Sequence, residues 1–262
     1  MISDAVTIQK SSNTPNEDAY VISDHYVAIV DGSTSKSPYT GVPPGKLATD
    51  AISSVLSSIK SNLTARQCVD LLTECVSSIR REGGDTPSAS VAIVSLAARE
   101  IWVVGDANVR VGNTNRYFRH YGERHTSGMR AYYLTALIQQ GLSVESILAG
   151  DDPGRELILP MLKEESKLRN VDLPGRWYWG SIDGTYVPER HIKRIDLPTE
   201  PVTICLASDG YQRLFDSFEQ TERVLRDSVT RDPLMIAMHP ETKGVYRDQS
   251  SFDDRTYVKM TI

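Results

Sequence analysis

Hydrophobic and polar positions change period several times along this chain, and each change marks an element. In "DAYVISD" and "HYVAIVDG", β-branched and aromatic residues crowd two short runs joined at Ser23-Asp24, which predicts an opening β-hairpin. The period then lengthens. In "KLATDAISSVLSSI", Leu47, Ala51, Ile52, Val55, Leu56 and Ile59 recur at helical spacing, with Ser and Lys on the other side. A second helix is predicted in "TARQCVDLLTECVSSIRRE", where Thr64 and Gln67 have the spacing of a capping box and Gly83-Gly84 supplies a stop. Cys68 and Cys75 fall on one face of that helix and are expected to pack in the core.

Strand patterns return in "SASVAIVSLAA" and "EIWVVGDANVRVG", a second hairpin about an Ala98-Arg99 turn. The middle of the chain differs. "YYLTALIQQG", "SVESILAG" and "GRELILPMLKEESKL" predict short helices interrupted by Gly and Pro, a helical insertion at roughly 128–170. Beyond it, "HIKRIDLP" and "PVTICLASDG" are strand-like, and "SFEQTERVLRDSV" is a helix entered at Ser217 with Gln220 in capping-box position. The closing "DRTYVKMTI" sets Thr256, Val258, Met260 and Ile262 against Tyr257, Lys259 and Thr261, the alternation of a half-buried strand. Strands in hairpins rather than strict βαβ order predict antiparallel sheets with helices packed on them. With 262 residues, no internal repeat and no Pro-rich linker, residues 1–262 are expected to form one domain.

Composition narrows the picture. Hydrophobic residues at 40% and charged residues at 24% are those of an ordinary globular protein. A net charge of −5 repels polyanions, so no nucleic-acid partner is expected. The N-terminal stretch "MISDAVTIQKSSN" has neither a basic start nor a sustained apolar run, and no later segment reaches bilayer length; no membrane partner and a cytoplasmic location are expected. Cys68, Cys75 and Cys205 are too few and wrongly spaced for a zinc site or a disulfide framework. One basic run stands out: Arg110, Arg116, Arg119, Arg124 and Arg130, with His120 and His125, face the single acid Glu123. It reads as a solvated face or, alternatively, as a docking surface for an anionic substrate.

The candidate chemistry lies in five acidic motifs at or beside predicted strand ends: "PNEDAY", "VDGS", "VGDAN", "ASDGY" and "SFDDRT". Singly, each is an ordinary turn signal. Jointly, carboxylates at strand ends can converge on one rim, where their repulsion calls for cations. Oxygen donors with no His or Cys cluster beside them favour Mg²⁺ or Mn²⁺ over zinc. His25, His191 and His239 are scattered without ligand spacing, and "GRWYWG" either lines a groove or packs in the interior.

The order and spacing of these motifs, from "NEDAY" and "VDG" through "VGDAN" and "LASDGYQRLFD" to "DDRTYVKM", resemble the metal-dependent PPM-type (type 2C) serine/threonine protein phosphatases. "DDPGRELILPMLKEESKLRN" and "GSIDG" are similar to the bacterial branch of that family. The resemblance implies an α+β fold, a four-layer α-β-β-α sandwich of two antiparallel sheets flanked by helices. It implies hydrolysis of phosphoserine or phosphothreonine on a phosphorylated protein substrate, whose cognate kinase the sequence does not identify, by water activated between two Mg²⁺ or Mn²⁺ ions. Residue by residue, it makes Asp31 the bridging carboxylate and, with Asp209, the core of the catalytic centre. Asp209 and Asp253 would complete one ion, Glu17 and the Gly32 carbonyl would serve the other, and Asp18 would orient metal-bound water. Asp106, with Asp209, matches a weaker third site.

This chain departs from the family pattern at the phosphate grip. Asn13 stands where an Arg is usual, Asp254 where an Asn is usual, and Ser33, Thr34 and Ser35 follow the Asp-Gly. Lys36, as a point charge without the arginine fork, and Arg155 in the helical insertion are the candidates to bind phosphate. Two rival readings are a phosphatase-fold adaptor with little or no turnover and a phosphatase of small molecules.

Overall fold

Alternation along the central strands separates two apolar faces, and each face finds its own partner layer. The computed structural model describes residues 1–80 and 86–262. In chain order the elements are β1 (Ile2–Ile8), β2 (Asp18–Ile22), β3 (Tyr26–Gly32), α1 (Pro44–Ser58), α2 (Ala65–Ser78), β4 (Ala89–Ser95), β5 (Glu100–Val104), β6 (Asn108–Val111) and β7 (Thr114–Arg116). There follow α3 (Tyr121–Gln139), α4 (Val144–Leu148), α5 (Pro153–Glu164), β8 (Lys193–Asp196), β9 (Thr203–Ala207), α6 (Phe218–Arg231) and β10 (Arg255–Thr261). The strands form two five-stranded sheets, ordered β1-β10-β9-β6-β7 and β2-β3-β4-β5-β8, with every pairing antiparallel.

Period-2 alternation explains the layering. Tyr26, Ala28 and Val30 of β3, Val91 and Ile93 of β4, and Trp102 and Val104 of β5 point to one side, where Ala48, Ile52 and Leu56 of α1 and Cys68, Leu72 and Val76 of α2 cover them. Their neighbours Val27, Ile29, Ala92, Val94, Ile101 and Val103 point the other way, against Ile204, Leu206, Val258 and Met260 of the second sheet. The outer face of that sheet, with Cys205, Ala207 and Tyr257, is covered by Leu225 of α6 and by Tyr211, Leu214 and Phe252. The result is the expected α+β sandwich of four layers, α-β-β-α.

The predicted capping box at Thr64 and Gln67 is formed in both directions. At α6 the Ser217 half is formed, Gln220 N–H donating to Ser217 Oγ at 3.1 Å. The Gly83-Gly84 stop lies outside the described residues, and Cys68 and Cys75 do sit on the α1/α2 core, as free thiols.

Four expectations need correction. "EIWVVGDANVRVG" is two strands rather than one: the chain leaves the first sheet at Val104 and enters the second at Asn108, because Gly105 at φ +98 turns it where a Cβ would collide with Ser90 Oγ at 2.1 Å. The insertion's first helix starts at Tyr121, before residue 128, capped by His120 Nδ1, which accepts the Glu123 N–H at 3.2 Å. Its first turns carry no apolar stripe, so periodicity could not reveal them. Strand β10 is not half-buried: Tyr257 is fully covered, because α6 lies over the face expected to be open. Finally, β1 and β7 are additional strands, each at a sheet edge where burial imposes little pattern.

The basic run also resolves into specific pairs. Arg130, fully buried, makes a forked contact with Asp152 (Nε 3.0 Å, Nη2 2.6 Å) and ties α3 to the start of α5. Arg110 pairs with Asp216, and Arg119 with Glu123 and Glu241, while Arg116 and Arg124 remain exposed. Most of the run is thus structural rather than a free face. Among the described residues no helix is long and apolar enough to cross a membrane.

Candidate metal centre

Antiparallel pairing brings the acidic motifs to one end of the sandwich. Asp18 opens β2 and Asp31 lies one residue from the end of β3, so the two are register partners, with Ser90 near the start of β4 as the next rung. Asp106 lies in the crossover between β5 and β6, Asp209 just after β9, and Asp253 just before β10. A strand end on the up-going member of an antiparallel pair is level with the strand start on the other, so acids far apart in sequence meet here.

Asp31, Asp106 and Asp209 each offer an oxygen, and these oxygens lie within 4.8 Å of one another. Asp209 N–H donates to Asp31 Oδ2 at 3.3 Å, and Ser90 Oγ donates to Asp106 Oδ1 at 2.6 Å, which holds that carboxylate in place. Burial, with the repulsion of neighbouring acids, raises the carboxyls of Asp31 and Asp209 well above the usual range. Burial likewise pushes Asp18 up to about 7. Asp18 Oδ2 and Glu17 Oε1 are buried and find no hydrogen-bond partner among the described residues. An all-oxygen donor set carrying excess negative charge fits Mg²⁺ or Mn²⁺.

The other acids are held differently. Asp253 lines the same cavity, but its carboxylate is taken by two ammonium groups, Lys10 at 3.0 Å and Lys243 at 2.7 Å. Burial would raise it, yet those two cations override the effect and hold it below the carboxylate range. Asp254 accepts the N–H of Lys10 at 2.7 Å and of Glu17 at 3.0 Å, closing the loop between them. Its place in the site is therefore to fix backbone. Gly32 is the last residue of β3, with no positive φ. Its missing side chain lets three segments touch, since a Cβ there would stand 2.5 Å from the Glu17 carbonyl oxygen and 2.6 Å from that of Gly45.

Around the acids stand Lys36, Arg169, His120, Trp179, Glu241 and Lys243. Burial first, then the nearby guanidinium of Arg155, lowers Lys36 to about 8. Arg155 itself donates to the carbonyl of Thr242 at 3.0 Å, one layer behind the wall that Thr242 forms. Trp179 stacks on His120 at 4.3 Å, so one tryptophan of "GRWYWG" lines the cavity, while Trp177 is part-exposed against Tyr121. His120 also approaches Asp106 and Glu123. Its Nδ1 accepts the Glu123 N–H at 3.2 Å, so the ring caps α3 while it forms part of the cavity wall.

Lys10, Lys243 and Arg169 were not singled out from the sequence. Lys10 lies 243 positions from the Asp253 it contacts, and no local pattern joins them.

The chain superposes over nearly its whole length on two solved structures. One is the serine/threonine phosphatase PstP/Ppp of Mycobacterium tuberculosis, at 13% identity, with 98% of this chain and 96% of that chain covered and a TM-score of 0.50. The other is the catalytic domain of the serine/threonine protein phosphatase PstP in complex with two manganese ions, at 12% identity, covering 99% and 97%, with a TM-score of 0.51. The sequence matches no protein-family model and no curated protein. The chain therefore shares the fold of these two serine/threonine phosphatases.

Proposed function

We propose that this protein is a Mg²⁺- or Mn²⁺-dependent phosphatase that removes phosphate from phosphoserine or phosphothreonine in proteins. The observation that carries the reading is the convergence of Asp31, Asp106 and Asp209 within 4.8 Å in a cavity that Lys36 also lines. The fold shared with two serine/threonine phosphatases supports it.

In this reading Asp31 and Asp209 are the central ligands, joined by Asp106, Asp253, Glu17 and the Gly32 carbonyl. Asp18, one rung from Asp31, orients water. Ions held there supply Lewis acidity, neutralising charge on the phosphoryl oxygens and lowering the pKa of water. The chain's own part is positional. Ser90 fixes Asp106 through a 2.6 Å hydrogen bond, Asp254 holds the Lys10–Glu17 loop, and the β2–β3 register sets Asp18 against Asp31. Lys36, backed by Arg155 and with Arg169 on the same cavity, draws the phosphate in by charge. The protein is assigned to the cytoplasm, where a phosphorylated protein and its unidentified kinase would be met.

The test is phosphate release from a phosphothreonine peptide and from p-nitrophenyl phosphate, with Mn²⁺, Mg²⁺ or chelator. Release from the peptide that depends on metal supports the proposal. Release from the small ester alone supports a small-molecule phosphatase, and no release from either by folded protein supports an adaptor. Loss of an outer hydrogen-bond partner of a metal ligand costs about 10–100-fold in affinity or activity. Asp31→Asn and Asp209→Asn, which remove ligands, should therefore lose more than about 100-fold in metal affinity and in turnover together.

A further inference from the structure

The acids at the end of the sandwich fall into two groups with different neighbours. The Lys10 ammonium is 3.0 Å from Asp253 Oδ1, 3.2 Å from Asp254 Oδ2 and 3.8 Å from Glu17 Oε2. It also donates to Thr34 Oγ1 at 3.3 Å, and its side chain is only 8% exposed. Lys243 takes the other oxygen of Asp253 at 2.7 Å. Asp253 thus has both oxygens engaged. Asp31, Asp106 and Asp209 are not among the acids these ammonium groups pair with.

A buried ammonium among carboxylates does part of what a divalent ion would do there, since it offsets their repulsion at hydrogen-bonding distance. It is also fixed to the chain, so it competes at a constant effective concentration that dilution cannot remove. Glu17 shows that the neutralisation is incomplete: its Oε2 faces Lys10, but its buried Oε1 has no hydrogen-bond partner among the described residues. Glu17 thus keeps one carboxylate oxygen that neither Lys10 nor Lys243 satisfies.

We propose that Lys10 is a tethered competitor for metal. One divalent ion binds first among Asp31, Asp106 and Asp209, and a second reaches Glu17 and Asp253 only by displacing the Lys10 ammonium. The two ions are therefore taken up with unequal affinity. The inference deepens the metal assignment made above and rests on it, but it concerns uptake of ions rather than hydrolysis of any ester.

Mn²⁺ titration of the full chain, by calorimetry and by electron paramagnetic resonance, tests it without substrate. The expected result is a first ion with the six-line spectrum of an isolated Mn²⁺, then a second at least tenfold weaker whose arrival broadens the spectrum by spin coupling. Lys10→Met should tighten the second ion tenfold or more and leave the first within about threefold, while Lys10→Arg, which keeps the charge, should leave the second ion weak. Two ions of equal affinity in the unaltered protein would overturn the proposal, as would a second ion that Lys10→Met leaves unchanged or weakens. If Lys10→Met fails to fold, Lys243→Met serves, because it removes the other ammonium from Asp253 and should also tighten the second ion. Stepwise uptake without phosphate release from any ester would uphold this inference and remove the phosphatase reading; equal uptake with release would do the reverse.

Discussion

Asp18 and Asp31 are direct partners on the β2–β3 ladder, two carboxylates set opposite each other at the end of a sheet. Burial raises both carboxyls, and for Asp31 the facing Asp18 adds repulsion. Each group has a carboxyl raised in the folded state, so it favours folding while protonated, below about pH 4. That contribution is lost as pH rises through the folded value, about 7 for Asp18. Metal-free protein should therefore melt roughly 3–6 °C lower at pH 8 than at pH 5, and Mn²⁺ should reverse the fall. Asp253 runs the other way: Lys10 and Lys243 hold it low, so its contribution persists across this window and is lost only at more acid pH. Asp18→Asn should flatten the decline. A metal-free melting curve that is flat or rises with pH would contradict the arrangement.

Lys36 must be protonated to attract phosphate, and burial together with Arg155 lowers it to about 8. Inhibition by inorganic phosphate should accordingly weaken above about pH 8, whereas an unperturbed lysine would hold its charge to about 10.4. Lys36→Met should remove the pH step, and Lys36→Arg should move it beyond the accessible range. Measuring the inhibition constant between pH 7 and pH 10 checks this; a step that survives Lys36→Met would assign it elsewhere.

Gly32 is enclosed by backbone on two sides, with the Glu17 and Gly45 carbonyl oxygens in the space a Cβ would need. Gly32→Ala should destabilise the fold by about 1–3 kcal/mol, the usual cost of overpacking. It should also displace Glu17, whose carbonyl accepts the Gly32 N–H at 3.1 Å. Denaturant unfolding with a parallel Mn²⁺ titration measures both. A variant with unchanged stability and unchanged metal uptake would show that the close approach is unimportant.

The Arg130–Asp152 pair is 0% and 2% exposed at the side chains, so removing either partner strands a buried charge. Arg130→Met should cost about 3–5 kcal/mol. Asp152 also caps α5 through the Arg155 N–H at 2.8 Å and accepts the Tyr246 hydroxyl at 3.1 Å, so Asp152→Asn should be damaging as well. The double variant should lose less than the sum, and chemical unfolding of the four proteins measures the coupling. Additive losses would mean that the two side chains act independently.

The elements whose residues repeat with a clear period were legible in the sequence. The β2–β3 hairpin, α1 and α2 could be read because a buried face imposes a fixed spacing, and Thr64 could be read because capping is a local reaction between neighbours in the chain. The acids could be nominated one by one for the same reason, each standing at a strand end. Their grouping was implied by the resemblance to the phosphatase family, and no local pattern in the chain shows it. That Asp31, Asp106 and Asp209 meet, while Asp253 is drawn off by Lys10 and Lys243, depends on which strands pair and in which register. The same holds for Arg130, whose buried partner lies 22 residues away at the cap of another helix, and for the outer cover of β10. Period and capping are properties of neighbouring residues and are written along the chain. Charge pairing across a site depends on distance in space, which the packing of the two sheets set.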